Sequence, residues 1–205
     1  MADERHLRET LDLLDAVEQT GNANQKSLAQ RVGVAVGLLN ALLRRAVHKG
    51  YIKVSEAPAR RFAYYLTPQG FTEKSRLVSQ YLSDSLHFFR QSRSEYNDLM
   101  QPLAGLVGRR VFLAGIGELA EIAMLSAQEA GLPLAGLIDT KTNRQTIQTL
   151  PVLRDLNDLR PDDLVIIADA AEPQATYDRL AARLAAEQLL HPPLLRIATR
   201  PPATS

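Results

Sequence analysis

A glycine turn in the second half of the chain is followed, at some distance, by a carboxylate. The turn Gly115-Ile-Gly-Glu-Leu-Ala follows an apolar run that begins after Arg109, and a second apolar run ends in Asp139, 24 residues after the first glycine. Such glycines let the backbone approach a phosphate at a helix N-terminus, and the carboxylate accepts a hydrogen bond from a ribose hydroxyl. Glu118 lies in the first helical turn and would oppose an incoming pyrophosphate. The cofactor-binding residues that this pattern predicts are Gly115, Gly117, Glu118, Ala120 and Asp139.

A second chemical signal is a concentration of positive charge in the first third of the chain. Residues 22–65 hold eight Lys or Arg side chains and one acid, Glu56, which gives a local net charge of +7. Residues 101–205 hold ten basic and twelve acidic side chains, so the net charge of +1 hides a strong asymmetry. Positive charge in one segment attracts nucleic-acid phosphates. We therefore expect double-stranded DNA as a partner of this segment.

Patterns of catalytic and metal-binding residues are missing from the sequence. The chain has no cysteine, and its histidines lie far apart at positions 6, 48, 87 and 191. It contains no serine in a nucleophile elbow and no H-E-x-x-H or Walker A sequence. We expect no catalytic residue, no metal site and no enzymatic activity. An enzyme remains an alternative only through the glycine turn, as a nucleotide-dependent enzyme that uses its basic segment as a protein-interaction module.

The basic segment has the pattern of a helix-turn-helix over residues 24–53. Asn24 is a favourable N-cap, Gly33 breaks the first helix, and a second helix from Ala35 keeps Leu39, Leu43 and Val47 on one apolar face before Gly50 ends it. The strand from Tyr51 and an alternating run from Arg61 predict a hairpin wing around Pro58. The predicted DNA-binding residues are Ala35, Val36, Gly37, Asn40, Ala41, Arg44, Arg45, Lys49, Arg60 and Arg61.

Two further helices are predicted to flank this motif. The first, from Glu4 to Gln19, would brace it and end at Gly21. The second begins with Thr67 as N-cap and Pro68 in the first turn and continues nearly to Met100. A helix of this length spans roughly 45 Å, and its apolar stripe needs a partner. We expect this partner to be a second copy of the chain, with packing on the chain's own second domain as the alternative. The stripe consists of Leu77, Val78, Tyr81, Leu82, Leu86 and Phe89.

The first hundred residues resemble MarR-type winged-helix regulators, in the variety found beside exopolysaccharide genes. The resemblance covers residues 5–95 and is most specific in KGYIKV and LTPQGFTEKSRL. It implies a dimeric DNA-binding regulator of transcription. Ala35 and Val36 stand where such proteins often have Ser or Thr. Base readout is therefore expected from Asn40 and Arg44, and from contacts of Ala35 or Ala41 with thymine methyl groups.

The second half of the chain has the pattern of a small Rossmann-like domain. Strands are predicted at 109–114, 134–139, 151–153, 163–169 and 194–199, and a helix is predicted from Pro173 to Leu189. We expect about five parallel strands. The segments VFLAGIGELAEIAMLSAQEAGLPLAGLIDT, LPVL and DDLVIIADA resemble the N-terminal domains of sugar acyltransferases and CoA-binding domains. The combination with a winged helix is also similar to Rex redox sensors. NAD, CoA or a nucleotide-sugar is implied as ligand, and which of them binds is left open.

Together these observations predict a two-domain regulator. The predicted parts are an α+β winged helix at 1–67, a long dimerisation helix at 68–101, a linker at 102–108, an α/β Rossmann-like domain at 109–200 and a tail at 201–205. The function that follows is DNA binding by a homodimer whose second domain senses a nucleotide-containing small molecule, in polysaccharide or nucleotide-sugar metabolism. The alternative regulator is a Rex-like sensor of NAD(H). Because the sequence has neither a signal peptide nor a membrane-spanning run, we expect a cytoplasmic protein without membrane contact.

Overall fold

The computed structural model describes residues 2–20, 25–57, 61–105 and 108–199, and the side chains of residues 2–5, 56, 57 and 61 lie outside this description. The chain divides into two compact units, one up to Leu86 and one from His87. Asn24, the predicted N-cap, Gly21, the predicted helix stop, and the predicted tail lie outside the described residues. Within the described ranges, no helix has both the length and the apolar character needed to cross a membrane.

The first unit has the elements of a winged helix in the expected order. Its antiparallel hairpin pairs Ile52 with Leu66 and Val54 with Tyr64. The last helix, α4, contributes its residues up to Leu86 to this unit and those from His87 to the second. The elements are α1 (Ala2–Thr20), α2 (Gln25–Val32), α3 (Val36–His48), β1 (Ile52–Ala57), β2 (Arg61–Leu66) and α4 (Pro68–Met100).

The core of the first unit is formed by one face of each helix. α1 buries side chains at three- and four-residue spacing, among them Leu13, Leu14 and Val17, which pack with Leu28 of α2. Burying an aliphatic side chain of this size stabilises the fold by roughly 2 kcal/mol. The side chains that α3 buries in this core are Leu39, Leu42, Leu43 and Ala46. The prediction that Val47 belongs to this apolar face is wrong, because the buried face turns through Leu42 and Ala46 and leaves Val47 39% exposed.

Two glycines and one threonine set the ends of the helices, as the sequence predicts. Gly33 and Gly50 have φ of +71° and +73°, the left-handed region that favours glycine at a helix end. Thr67 caps α4: its Oγ1 accepts from the backbone N–H of Gly70 at 3.0 Å, and Pro68 is the first helical residue. The Thr67 hydroxyl also donates to the carbonyl of Gly50 at 2.6 Å, so one side chain joins the end of α3 to the start of α4.

The second unit is built on a mostly parallel sheet of six strands. Its order is β5-β6-β4-β3-β7-β8, in which β5 runs antiparallel to β6 and the other pairs are parallel. The two-residue strand β5 was not predicted from the sequence. The elements are β3 (Val111–Ala114), α5 (Glu118–Glu129), β4 (Leu134–Ile138), β5 (Thr146–Ile147), β6 (Leu150–Leu153), β7 (Leu164–Ile167), α6 (Pro173–Ala181) and β8 (Leu189–Leu190).

Each face of this sheet has its own core. Leu113, Leu137 and Ile166 pack with α5 and with the end of α4, where Tyr96 and Met100 are fully buried. The opposite face packs with α6. Tyr96 donates its hydroxyl proton to the carbonyl of Ile167 at 2.9 Å, and burial, with a smaller contribution from Glu95, raises the pKa of this hydroxyl. The last turns of α4 are therefore part of the second unit's core.

The prediction for the last forty residues is wrong in two places. The helix predicted to reach Leu189 ends at Ala181, and Ala186–Gln188 forms a separate 3-10 turn. Gln188 holds this turn outside the helix: its Oε1 accepts from the Ala185 N–H at 3.1 Å and its amide donates to the carbonyls of Pro161 and Asp163. The edge strand is Leu189–Leu190 instead of 194–199. Prolines at 192 and 193 have no N–H for a strand ladder, and Pro193–Leu195 forms a 3-10 turn. In the predicted linker, Gln101–Leu103 is likewise a 3-10 turn, and residues 106 and 107 lie outside the description.

A buried ion pair holds the start of β7 to the start of β3. The side chain of Asp163 is 0% exposed and accepts two hydrogen bonds from the Arg110 guanidinium, at 2.8 and 2.5 Å, and one from the backbone N–H of Arg160 at 2.7 Å. The hydrogen bond to Asp163 raises the pKa of Arg110. Arg110 also lies over the ring of Phe112, with its guanidinium carbon 5.0 Å from the centroid.

We expect Asp163→Ala to lower the free energy of unfolding of the second unit by about 2–3 kcal/mol, since it removes a buried acceptor of three hydrogen bonds and leaves the half-buried Arg110 without its anionic partner. Denaturation of the full chain by urea, followed by circular dichroism, measures the loss. The matched control is Asp162→Ala, next to it and exposed, which should change the stability by less than about 0.5 kcal/mol. Equal losses in the two variants would contradict a specific role for the pair.

Candidate DNA-binding helix and nucleotide site

The exposed face of α3 contains most of the predicted DNA-binding residues. Val36, Gly37, Ala41 and Arg44 are exposed, and Asn40 is half-buried between them. Ala35 is the N-cap of the helix and makes no side-chain hydrogen bond there. Lys49, just after the helix, is exposed, with its Nζ 5.7 Å from the centre of the Tyr51 ring. The structure thus brings one cation, one amide and several small apolar side chains together on a single helix face.

Arg45 differs from its neighbour Arg44, although both were predicted to bind DNA. The guanidinium of Arg45 contacts both ring nitrogens of His6 on α1, at 2.5 and 3.5 Å. His6 and Arg45 line a cavity of about 260 Å³ between α1, α3 and α4, and the wall of this cavity also includes Lys49 and Arg76. Arg45 is exposed like Arg44, but its side chain points about 100° away from that of Arg44 around the helix and toward His6 of α1.

The predicted wing arginines are only partly covered by the structure. Arg61 begins β2, and its side chain, like the whole of Arg60, lies outside the described residues. Lys53 of β1 is exposed and pairs across the hairpin with Tyr65. Tyr64 is buried, and its hydroxyl receives a hydrogen bond from the Gln25 amide at 3.0 Å, which joins the hairpin to the start of α2.

In the second unit, the carboxyl ends of β3, β4 and β7 meet at one edge of the sheet. A small cavity of about 30 Å³ at this edge is lined by Gly115 after β3, Asp139 after β4, and Asp169 after β7. Gly115 has φ of +119°, and a Cβ atom there would lie 2.6 Å from the backbone nitrogen of Asp169. This glycine is therefore required for the close approach of the two chain segments that follow the strands.

The carboxylates of this edge are already engaged in local hydrogen bonds. Asp139 accepts, through one oxygen, from the backbone N–H groups of Lys141 and Thr142 at 2.8 and 2.7 Å. Asp169 accepts from the backbone of Ala171 and Glu172 at 2.9 and 3.1 Å. Its other oxygen accepts from the Thr176 hydroxyl at 2.7 Å. Burial raises the pKa of Asp169, but these hydrogen bonds and the charge of Lys141 outweigh it and hold the pKa below its usual value.

Two cations connect the loop after β4 to helix α6 and to the residue that precedes α6. Arg179 of α6 donates to the hydroxyls of Thr140 at 2.7 Å and Thr176 at 3.0 Å. Lys141 donates to Glu172 at 2.5 Å, and this hydrogen bond raises its pKa. Thr140, Lys141, Thr176 and Arg179 all line the small cavity with Asp139. The small cavity at the edge of the sheet is thus lined by both acidic and basic side chains.

The predicted cofactor-binding residues do not share one cavity. Gly117 and Ala120 line a second, larger hollow of about 390 Å³, with an apolar floor that includes Met124, Leu137 and Ile147 and with Thr142 and Arg144 in its wall. Gly115 and Asp139 line the small one. The turn at 115–117 thus places its two glycines in different hollows. Glu118 is exposed in the first turn of α5, and Gly117, the N-cap, has φ of +110° and open space where a Cβ would lie.

Sequence reasoning missed Asp169, Thr176, Arg179 and Arg144 as site residues. Asp169 ends a predicted strand, and acids at such positions are common at solvated edges, so its burial could not be read from the pattern. Thr176 and Arg179 are three residues apart on α6, a spacing that places both on one helix face and could have suggested them. Within the described ranges, no three His, Asp or Glu side chains are grouped so as to hold a metal ion.

The comparisons with known proteins concern mainly the first unit. Residues 10–53, from α1 into β1, match the family of winged helix-turn-helix DNA-binding domains. No curated protein matches the chain. Among solved structures, the chain is similar to the MarR family transcription regulator SP03579, with 22% identity, a TM-score of 0.37 and coverage of 42% of this chain and 63% of the other.

Two further solved structures are similar to the chain at low identity. The regulator MepR of Staphylococcus aureus is 21% identical over 42% of this chain and 63% of its own, with a TM-score of 0.36. Human N-acetylserotonin methyltransferase is 14% identical, over 93% of this chain and 75% of its own, with a TM-score of 0.34. The chain thus spans less than two thirds of the length of the first regulators that it matches.

We expect Gly115→Ala to destabilise the second unit more than Gly117→Ala. Both replacements force alanine into a positive φ, at a cost of about 1–2 kcal/mol, but only Gly115→Ala also drives a Cβ into the backbone of Asp169, which adds about 2 kcal/mol. Thermal unfolding of the two full-length variants measures this difference. If the two melting temperatures fall equally, the close approach at Gly115 does not limit the fold.

Proposed function

We propose that the protein is a DNA-binding regulator of transcription of MarR type, which acts in the cytoplasm as a homodimer and senses a nucleotide-containing small molecule through its second unit. It is not an enzyme in this proposal. The observation that supports DNA binding most directly is the family match at residues 10–53, together with an α3 helix on which Arg44 and small side chains are exposed and Asn40 is half-buried. Residues 25–55 contain no acid, so the surroundings of this helix do not repel phosphates.

DNA contacts divide by chemistry in this proposal. Arg44 and Asn40, on the exposed face of α3, read base edges in the major groove, where arginine pairs with guanine and asparagine with adenine. Lys49, Lys53 and the wing arginines Arg60 and Arg61 contact phosphates, which positions α3 without reading sequence. Ala35, Gly37 and Ala41 allow close approach of the helix, and Val36 contacts the same groove through its methyl groups. Arg45 has a lesser role, since its guanidinium is held by His6.

Dimerisation is proposed through α4. Several large apolar side chains along its first five turns are exposed, whereas Leu77, which also belongs to the predicted stripe, is buried in the winged unit. Covering these side chains with a second copy would remove apolar surface from water and present two α3 helices to two DNA half-sites. The exposed side chains are Phe71, Val78, Tyr81, Leu82 and Leu86.

The proposed ligand site is the sheet edge at Gly115, Gly117, Ala120 and Asp139. The parallel sheet, the glycine turn and a carboxylate after the second strand are the parts that bind nucleotides in this architecture. NAD, CoA and nucleotide-sugars are the candidate ligands. A link to polysaccharide or nucleotide-sugar metabolism would follow if the last of these binds.

We expect Arg44→Ala to weaken binding to specific DNA by roughly 5- to 150-fold, the effect of losing one bidentate contact with a guanine. The neighbouring variant Arg45→Ala is the matched control and should weaken binding much less, because Arg45 is held by His6. Gel-shift titrations on duplexes selected by the wild-type chain measure both, and the mass of the complex reports whether two chains bind each duplex.

A larger loss of DNA affinity in Arg45→Ala than in Arg44→Ala would indicate that Arg45 contacts the DNA, and it would contradict the proposed docking of α3. A wild-type chain whose affinity for random duplex DNA does not fall with salt would contradict DNA binding altogether, because phosphate contacts release counterions. That second result would favour a winged helix used as a protein-interaction module.

For the second unit, we expect one of NAD, NADH, coenzyme A or a UDP-sugar to raise the thermal stability of the full chain. At a concentration of about 100 times its dissociation constant, a specific ligand stabilises by roughly 3 kcal/mol. Asp139→Asn should abolish this stabilisation, since the amide keeps the oxygen that accepts from Lys141 and Thr142 but loses the second acceptor oxygen. If none of these ligands changes the melting temperature, the proposed sensing of a nucleotide is wrong while DNA binding is unaffected.

A further inference from the structure

Two neighbouring rows of side chains run along one face of α3. Val36, Asn40 and Arg44 lie four residues apart and form one row, with Asn40 half-buried, and Gly37, Ala41 and Arg45 form the next. A Cβ at Gly37 would have no atom within 4 Å, and the guanidinium of Arg45 contacts His6, so the second row is almost without side chains at Gly37 and Ala41. A ridge of larger side chains beside a nearly bare row lets the helix come close to the floor of a groove.

Val36 occupies the end of the ridge at the first turn of the helix. It is 45% exposed, and it is not among the side chains that pack on the core, although its neighbours Val32 and Val34 are. From residue 36 to residue 44, Asn40 and Arg44 are the two side chains with hydrogen-bonding groups. The first turn can therefore recognise a base only through apolar contact.

Apolar contact in the major groove has one specific target. Of the base edges exposed there, thymine alone presents a methyl group, whereas the other bases present hydrogen-bond donors and acceptors. Residues four apart on a helix are about 6 Å apart along its axis, which corresponds to roughly two base pairs of DNA. The three members of the ridge are thus spaced to contact three positions within one half-site.

We propose that Val36 is a specificity-determining residue that reads a thymine methyl group, with Asn40 and Arg44 reading an adenine and a guanine further along the same half-site. This inference rests on the proposed DNA binding by α3 and specifies what that helix reads. Glycine at position 37 is part of the same reader, because any larger side chain there would hold Val36 away from the methyl group.

The test compares thymine with uracil, which differ by this methyl group alone. The full-length chain selects duplexes from a random-sequence library, and the tightest one is synthesised again with deoxyuridine in place of each thymidine in turn. We expect one position in each half-site at which uracil weakens binding about fourfold, the effect of burying one methyl group. The affinity is measured by fluorescence anisotropy at fixed salt.

Val36→Ser removes both methyl groups of the side chain at an exposed position, so folding is retained. We expect the fourfold preference for thymine over uracil to disappear in this variant, because serine has no methyl group to contact the base. Val47→Ser is the matched control on the same helix, with similar exposure at its last turn, and should keep the preference.

Two results would overturn the inference and leave DNA binding intact: tight selected duplexes in which uracil is tolerated at every thymine, or a preference that survives Val36→Ser. Loss of the preference in Val47→Ser instead would show that the last turn of α3 contacts the thymine methyl group, and it would also overturn the inference. A library from which no duplex is enriched would overturn the proposed function, and the inference would fail with it.

Discussion

The burial of Leu39, Leu42, Leu43 and Ala46 fixes the rotation of α3 about its own axis, and the rest of the first unit follows from this packing. These side chains meet the buried faces of α1 and α2, so the angular position of every other residue on α3 is determined. Each leucine stabilises this orientation by roughly 2 kcal/mol, far more than a surface hydrogen bond contributes. The ridge of Val36, Asn40 and Arg44 is therefore held in a fixed direction by the core on the other side of the helix.

In the second unit the corresponding constraint is the close approach of the chain after β3 to the chain after β7. Because Gly115 has no Cβ, its backbone can lie against Asp169, which brings the ends of the central strands together. The carboxylate of Asp169 accepts hydrogen bonds from the Thr176 hydroxyl and from two backbone N–H groups. The position of Arg179 follows, since it shares the Thr176 hydroxyl and reaches Thr140 beyond it. One glycine thus positions a polar network on two loops and a helix.

Most of the fold could be predicted because its signals are local. Glycines with positive φ at helix ends, the Thr67-Pro68 start of α4, and apolar runs of four residues each specify an element from neighbouring residues. The errors arise where distant partners decide. Gln188 lies in a separate turn after α6, where it bonds to carbonyls more than twenty residues away, and Val47 is exposed because Leu42 and Ala46 pack in its place. The individual site residues were predicted from a motif, but their division between two hollows depends on which side of the sheet each one faces.

The hydrogen bonds already made at the sheet edge restrict how a nucleotide can bind there. Both oxygens of Asp169 have partners, whereas one oxygen of Asp139 has none among the described residues. A ribose hydroxyl would therefore donate its hydrogen bond to this oxygen of Asp139. Arg179 and Lys141 are engaged with threonine hydroxyls and Glu172, whereas the Arg144 side chain makes no hydrogen bond or ion pair with a described residue. A phosphate would therefore meet the least competition near Arg144 and Gly117. A ligand with a sugar next to a phosphate suits this arrangement, since the turn between the two glycines separates the hollows that would hold them.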